Sequence, residues 1–224
     1  MSTVPGPPNV GAARARPPAR LNLNPRAWPV PALAEMGVAV ALAAVLGFVR
    51  PFTMPQGGSV SLEMLPLIFI AVRRGLGPGV TAGAAYGLLQ LLLPGAFIFH
   101  PAQAALDYPL AFAAVGLAGV VPVRGLVSLA LAVGLGSGAR FVFHFLSGLI
   151  FFASYAPQWE AAWLYSVTYN ALYLVPEAAI TLVALWPLLK AYDAAFGPGL
   201  PPGDSRADGG RPRIPKPRHP GAEP

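Results

Sequence analysis

HPAQAALDYPLAFAAVGLAG, residues 100–119, sets one carboxylate, Asp107, at the head of an otherwise uncharged apolar segment. An aspartate near the middle of a bilayer costs roughly 2.5 to 3.5 kcal/mol on insertion scales, so such a group faces a polar cavity or a partner. The composition around it agrees with a membrane setting. The 224 residues are 55% hydrophobic and 11% charged, with a mean hydropathy of +0.57, too apolar for an ordinary soluble domain.

Outward from Asp107, turn signals cut the apolar sequence into six pieces, each read as a bilayer-crossing helix of about 20 residues, tilted or shortened where the piece is not that long. They run from Val30 to Val49, Val60 to Val72, Gly79 to Leu93, Ala104 to Val121, Leu126 to Phe152 and Ala161 to Leu189. The reading is an all-α integral membrane protein, with a six-helix domain over residues 28–192. The flanks, 1–27 and 193–224, are rich in Pro, Gly and Arg or Lys, lack apolar periodicity and read as disordered tails. Prolines interrupt any apolar run in the first thirty residues, so no cleavable signal peptide is expected.

The basic residues orient the segments. With the N-terminus inside, Arg14, Arg16, Arg20, Arg26, Arg73, Arg74, Arg124 and Lys190 all fall on the cytoplasmic side and Arg50 falls outside, which satisfies the positive-inside rule and puts both termini in the cytoplasm. The net charge of +6 sits in tails and segment ends rather than among exposed aromatics, which argues against nucleic acid as a partner. Cysteine is absent, excluding disulfides and thiolate metal sites. No GxxxxGK[ST], HExxH or GxSxG occurs. ATP hydrolysis by this chain, zinc proteolysis and an elbow-borne serine nucleophile therefore have no motif behind them. A set drawn from Ser147, His144 and Asp107 remains a weak alternative. No enzyme activity, cofactor or metal is expected.

In this topology Asp107, His144, Phe152, Tyr165 and Asn170 lie in the outer part of the membrane. Arg140, His144 and Phe152 are spaced to line one wall of the fifth helix, and Asn170, Tyr173 and Glu177 share a face of the sixth. Tyr165 lies well away from Asn170 in angle, so both reach one pocket only if the sixth helix starts irregularly. The loops PFTMPQGGS, PGAFIFHPAQ and ASYAPQWE fall outside, where Phe97, Gln103, Tyr155 and Trp159 form a lid. Such a pocket suits a small cationic or aromatic heterocycle. Plainer readings stand beside this one. Arg140 pairs with Asp107 or Glu63 as a structural ion pair, His144 packs helices, and Trp28, Trp159 and Trp186 belong to interfacial belts. Glu177 follows Pro176, and its role stays open. Gly37 with Ala41, and Gly83 with Gly87, have the small-xxx-small spacing that lets helices approach closely.

LPLIFIAVRRGLGPGVTAGAAYGLLQLLL, FIFHPAQAALDYPLAF, RFVFHFLSGLIFFASYAP and WLYSVTYNALYLVPE follow one another in the chain. Together they resemble the thiamine-specific substrate-binding (S) component of energy-coupling factor transporters, over about residues 30–190. The resemblance implies a six-helix protein of the cell membrane that captures thiamine from outside at high affinity, then delivers it with a shared transmembrane subunit and ATPase subunits. It further implies that Asp107 is the acidic ligand to the thiamine cation, His144 the imidazole beside it, Phe152 a stacking ring, and Tyr165 and Asn170 contacts from the last helix. Arg140 matches a basic position near the acidic one. Phe97 stands where some relatives have a tyrosine, Ser59 where some have a lid tryptophan, Asp107 for a glutamate and Phe152 for a tryptophan. Gly37 and Ala41 fall on the first-helix motif that meets the shared subunit. The alternatives are a stand-alone proton-coupled carrier of a cationic solute, using Asp107, His144 or Glu177, and a non-transporting membrane scaffold.

Overall fold

The computed structural model describes residues 23–25 and 28–196; most of both expected tails lies outside the described residues. Six helical rods follow one another: α1 (Val30–Leu46), α2 (Met64–Arg74), α3 (Leu76–Gln90), α4 (Pro101–Val120), α5 (Leu126–Phe151) and α6 (Ala162–Phe196). Between α1 and α2 the chain forms a small antiparallel hairpin, β1 (Phe52–Thr53) with β2 (Ser59–Val60). Helix dominates the rest of the described residues, in keeping with the all-α expectation. Gly57 and Gly58, at φ 91° and 90°, occupy the left-handed region that a tight turn needs and that glycine enters without strain.

Among the described residues three helices, α4, α5 and α6, are long and apolar enough to cross a membrane by themselves. The six expected segments are all present as helices, α1, α2 and α3 being shorter. At 1.5 Å per residue the 11 residues of α2 cover only about 17 Å of a hydrocarbon core roughly 30 Å thick. Helix α2 starts four residues later than expected because Ser59 and Val60 are taken by the hairpin. Gly75 at φ 91° breaks the chain into α2 and α3. Helix α6 runs to Phe196, past the expected domain end at 192, because Asp193 is held by Arg73 at 3.1 Å and Tyr192 lies under the same guanidinium at 3.8 Å.

Core and cavity occupy opposite ends of the bundle. Leu129, Ala132 and Val133 of α5, Leu185 and Leu189 of α6, Val115 and Ala118 of α4 and most of α2 make one apolar cluster. The other half of each long helix carries the polar residues. Helices α3 and α4 run against each other at backbone distance: a β-carbon added at Gly83 would lie 2.0 Å from the Phe112 carbonyl oxygen, and one at Gly87 would lie 2.4 Å from that of Tyr108. Outside, Leu33, Val38, Leu42, Val45, Leu131, Val175 and Val183 are exposed. An apolar surface this extensive suits lipid or another protein rather than water.

Candidate ligand-binding site

Pro109 decides the local shape of α4. It has no N–H to give the carbonyl one turn back, and Leu106–Leu110 widens into a π turn in which the Ala111 N–H reaches Leu106 O. Such bulges recur at functional sites. This one carries Asp107 and Tyr108. Both side chains line a cavity that, with its open mouth included, encloses about 820 Å³.

Asp107 is held on three sides. Gln103 Nε2 donates to Oδ2 at 2.7 Å, Ser147 Oγ to the same oxygen at 2.9 Å, and His144 Nδ1 lies 3.1 Å from Oδ1. A carboxylate has about four lone-pair positions, so Oδ1 keeps one for a ligand. Arg140, one turn before His144 on α5, points deeper. Its Nη2 donates to Glu63 Oε1 at 3.0 Å, Nη1 to Glu177 Oε2 at 3.1 Å and Nε to His144 Nε2 at 3.2 Å. Of the two ion-pair partners left open by the sequence, Glu63 is the one found; Asp107 is reached only through His144. Glu63 also accepts from Tyr86 at 2.8 Å and Gln90 at 3.0 Å, and Glu177 from Ser61 at 3.1 Å. The role left open for Glu177 is thus to anchor Arg140.

Helix α6 supplies the facing wall. Tyr165, Ser166, Tyr169, Asn170 and Tyr173 all line the cavity. At 100° per residue these five span about 140° of arc, so Tyr165 and Asn170 reach one cavity from a helix regular since Ala162. The expected irregular start is not needed. Asn170 is largely engaged: Nδ2 donates to Ser166 O at 2.8 Å and Oδ1 accepts from Tyr173 at 2.8 Å, leaving one lone pair on Oδ1. Phe152, the residue that ends α5, is buried, and its ring lies 5.9 Å from that of Phe97.

The mouth is built from two loops tied down by α4 and α6. Tyr169 Oη accepts from the Gln56 N–H at 2.8 Å and donates to Gly57 O at 3.0 Å. Ser59, buried in the hairpin, lines the cavity beside that turn. On the other side Gln103 donates to Phe97 O at 3.1 Å and accepts from Phe99 N at 2.8 Å, while Tyr108 Oη accepts from Phe97 N at 2.6 Å. Gln103 thus couples the loop to Asp107. Trp159 is 84% exposed and, like Tyr155, is not among the residues lining the cavity, so neither serves as the lid residue expected of it. All eight residues singled out as ligand-binding, Asp107, His144, Phe152, Tyr165, Asn170, Arg140, Phe97 and Ser59, line this one cavity. Gly37 and Ala41 lie apart from it on the exposed side of α1.

Sequence reasoning passed over Gln56, Ser147 as an Asp107 donor, Tyr169 as a wall residue, and Gln90. The 165, 169, 173 tyrosine series at helical spacing was the available signal for Tyr169. The others depend on which loops meet, which spacing does not reveal. Among the described residues no group of His, Asp and Glu has the makings of a metal site.

The fold is that of a multi-pass membrane protein with a cavity toward one end of its helix bundle. A sequence profile named thiamine transporter protein (Thia_YuaJ) matches residues 33–196. Thiamine transporter ThiT of Bacillus subtilis (strain 168) is 40% identical over 167 residues, covering 68% of this chain and 87% of that protein. ThiT of Lacticaseibacillus paracasei is 29% identical over 177 residues, covering 72% and 88%. A solved structure of ThiT from Listeria monocytogenes superposes with a TM-score of 0.68 at 28% identity, over 74% of this chain and 96% of that one. The chain belongs to the thiamine transporter family, whose members are transporters and not enzymes.

Proposed function

We propose that this chain is the thiamine-capturing S component of an energy-coupling factor transporter in the cell membrane, with Asp107 as the counter-ion of the bound cation. The observation that carries the reading is the ion pairing of the site. Two guanidiniums, Arg50 and Arg140, stand among three carboxylates, Glu63, Asp107 and Glu177. Arg140 pairs with both Glu63 and Glu177, and Asp107 carries the only one of these carboxylates without a guanidinium bond among the described residues. Thiamine brings one permanent thiazolium charge, an aminopyrimidine edge and a hydroxyl. In a site of low dielectric the Asp107 carboxylate attracts that cation strongly. Phe152 and Tyr165 stack on its rings, Asn170 offers its remaining lone pair to the exocyclic amine, and Phe97, Ser59 and the two mouth loops close over it.

The same reading orients the protein. Arg73, Arg74, Arg124 and Lys190 lie at the core end of the bundle, away from the cavity, so positive-inside places that end and both termini in the cytoplasm and opens the cavity outward. No phosphate loop is present in the sequence, which leaves the energy to a shared transmembrane subunit and its ATPases. The exposed α1 face with Leu33, Gly37, Val38, Ala41 and Leu42 is the docking surface for that subunit, since small residues admit a second helix closely.

Calorimetric titration of the detergent-purified protein with thiamine tests the capture reading. Saturable binding at submicromolar thiamine is expected, and its absence would overturn the assignment. Thiamine uptake into vesicles holding this protein alone, collapsed by an uncoupler, would instead establish a proton-coupled carrier. Because the chain has no cysteine, Ile98→Cys gives a unique label for orientation; it should react from outside intact cells.

A further inference from the structure

Arg140 lines the cavity, yet its guanidinium is engaged by protein groups on every side. Two nitrogens hold Glu63 and Glu177, the third donates to His144, the flat face lies 4.2 Å from the Phe112 ring centroid, and the side chain is only 4% exposed. A guanidinium has N–H donors and no acceptor, and it keeps its proton in proteins. In the 3.2 Å contact with Arg140 Nε, His144 Nε2 is therefore the acceptor, and the ring proton sits on Nδ1. That nitrogen is the one 3.1 Å from Asp107 Oδ1.

We infer that Arg140 is a positioning residue for ligand capture: it fixes His144 as the Nδ1–H tautomer, which then donates to Asp107 and holds that carboxylate in the orientation that meets the cation. The inference rests on the thiamine reading of Asp107. Without the Arg140 donor the imidazole is free to carry its proton on Nε2. A lone pair on Nδ1 would then face a lone pair of Asp107, and the contact would become repulsive. The two glutamates give the device its rigidity. Glu63 stands immediately before α2 and Glu177 on α6, so the guanidinium is gripped from two elements and Nε has one direction left. His144 is faced by Asp107 from α4, by Arg140 from its own helix and by the Tyr173 ring edge from α6 at 6.0 Å. Glu63 and Glu177 act on it only through Arg140. Arg140 thus does for Asp107 what outer-shell partners do for metal-bound histidines, orienting a ligand group it does not replace.

The test uses the full-length protein in detergent, labelled with ¹⁵N-histidine, with the His144 resonances assigned by their loss in His144→Gln. Before thiamine is added, His144 should show a protonated Nδ1 and an unprotonated Nε2; the opposite tautomer overturns the inference. Arg140→Lys keeps a positive charge but lacks the fork that serves three acceptors. It should mix the tautomers and weaken thiamine binding about tenfold, yet change binding less than about twofold when made in the His144→Gln background. Equal losses in both backgrounds would mean that Arg140 acts on the ligand or the fold directly, and would overturn the inference. Glu177→Gln, which removes one anchor while the guanidinium stays in place, gives a second variant and should lower the Nδ1–H fraction; an unchanged spectrum overturns the anchoring. The tautomer is read without ligand, so a wild-type protein that fails to bind thiamine would sink the site reading while the spectrum still decides what Arg140 does.

Discussion

Helix α3 and helix α1 both carry small residues four apart, and the fold uses them in opposite ways. On α3 a β-carbon added at Gly83 or Gly87 would lie 2.0 Å from Phe112 O or 2.4 Å from Tyr108 O of α4, and one added at Gly116 of α4 would lie 2.5 Å from the Gly79 carbonyl carbon, so a neighbour would have to shift. On α1 a β-carbon added at Gly37 meets nothing within 4 Å, and Ala41 is exposed beside it. Small-residue spacing says that a backbone is prepared to approach closely. Whether the partner lies within the chain is a separate fact, decided by which helices the loops bring together. The inner seam also has a consequence for the site, because its upper end, Gly87, lies against the π turn that carries Asp107.

The hardest way to break the comparison is to fill the inner seam. Gly83→Leu would drive a side chain into the Phe112 carbonyl and should cost more than about 3 kcal/mol, at the upper end of overpacking penalties. No monodisperse folded protein should elute from size-exclusion chromatography in detergent. Filling the outer stripe should do the reverse. Gly37→Trp is expected to leave thiamine binding within about twofold of wild type while abolishing uptake in cells; loss of both would assign Gly37 to packing. Asp107→Asn separates charge from seam. It keeps the size of the side chain and removes the charge, so thiamine binding should weaken more than about tenfold, the effect of losing about 1.4 kcal/mol or more, at an unchanged melting temperature. Near wild-type binding would sink the counter-ion role. The smallest effect is expected from Gly87→Ala, which presses on Tyr108 O and shifts the π turn. Thiamine should bind about three- to fivefold more weakly, roughly 1 kcal/mol, and a change confined to stability would show that seam and site are independent.

The sequence was most legible where one residue type has few places to go. Asp107 in an apolar segment had to face something polar, and it lines the cavity with His144, as the spacing along α5 implied. The turn signals located every helix end to within four residues except the last, where α6 runs seven residues beyond Leu189. They failed at Val60, where a hairpin strand stands in place of the expected helix start, since an apolar run of this length satisfies a strand as well as a helix. The assumption that one helix presents only a narrow face made Tyr165 look remote from Asn170. The cavity wraps around α6 and accepts both. Trp159, expected in the lid, is exposed because the third outer loop does not fold over the mouth.

Composition and pattern alone determined a membrane protein of six helices with a partly buried acid among aromatics, because charge and hydropathy are local properties that a bilayer sorts by their energies. Three things had to wait for the tertiary structure: that Arg140 is gripped by Glu63 and Glu177 and not by Asp107, that the tyrosines of α6 pin the hairpin, and that one glycine stripe is sealed while the other is open. These joins link residues 21 to 113 positions apart in the chain. Periodicity places a side chain on a face of its own helix, and only packing decides what that face meets.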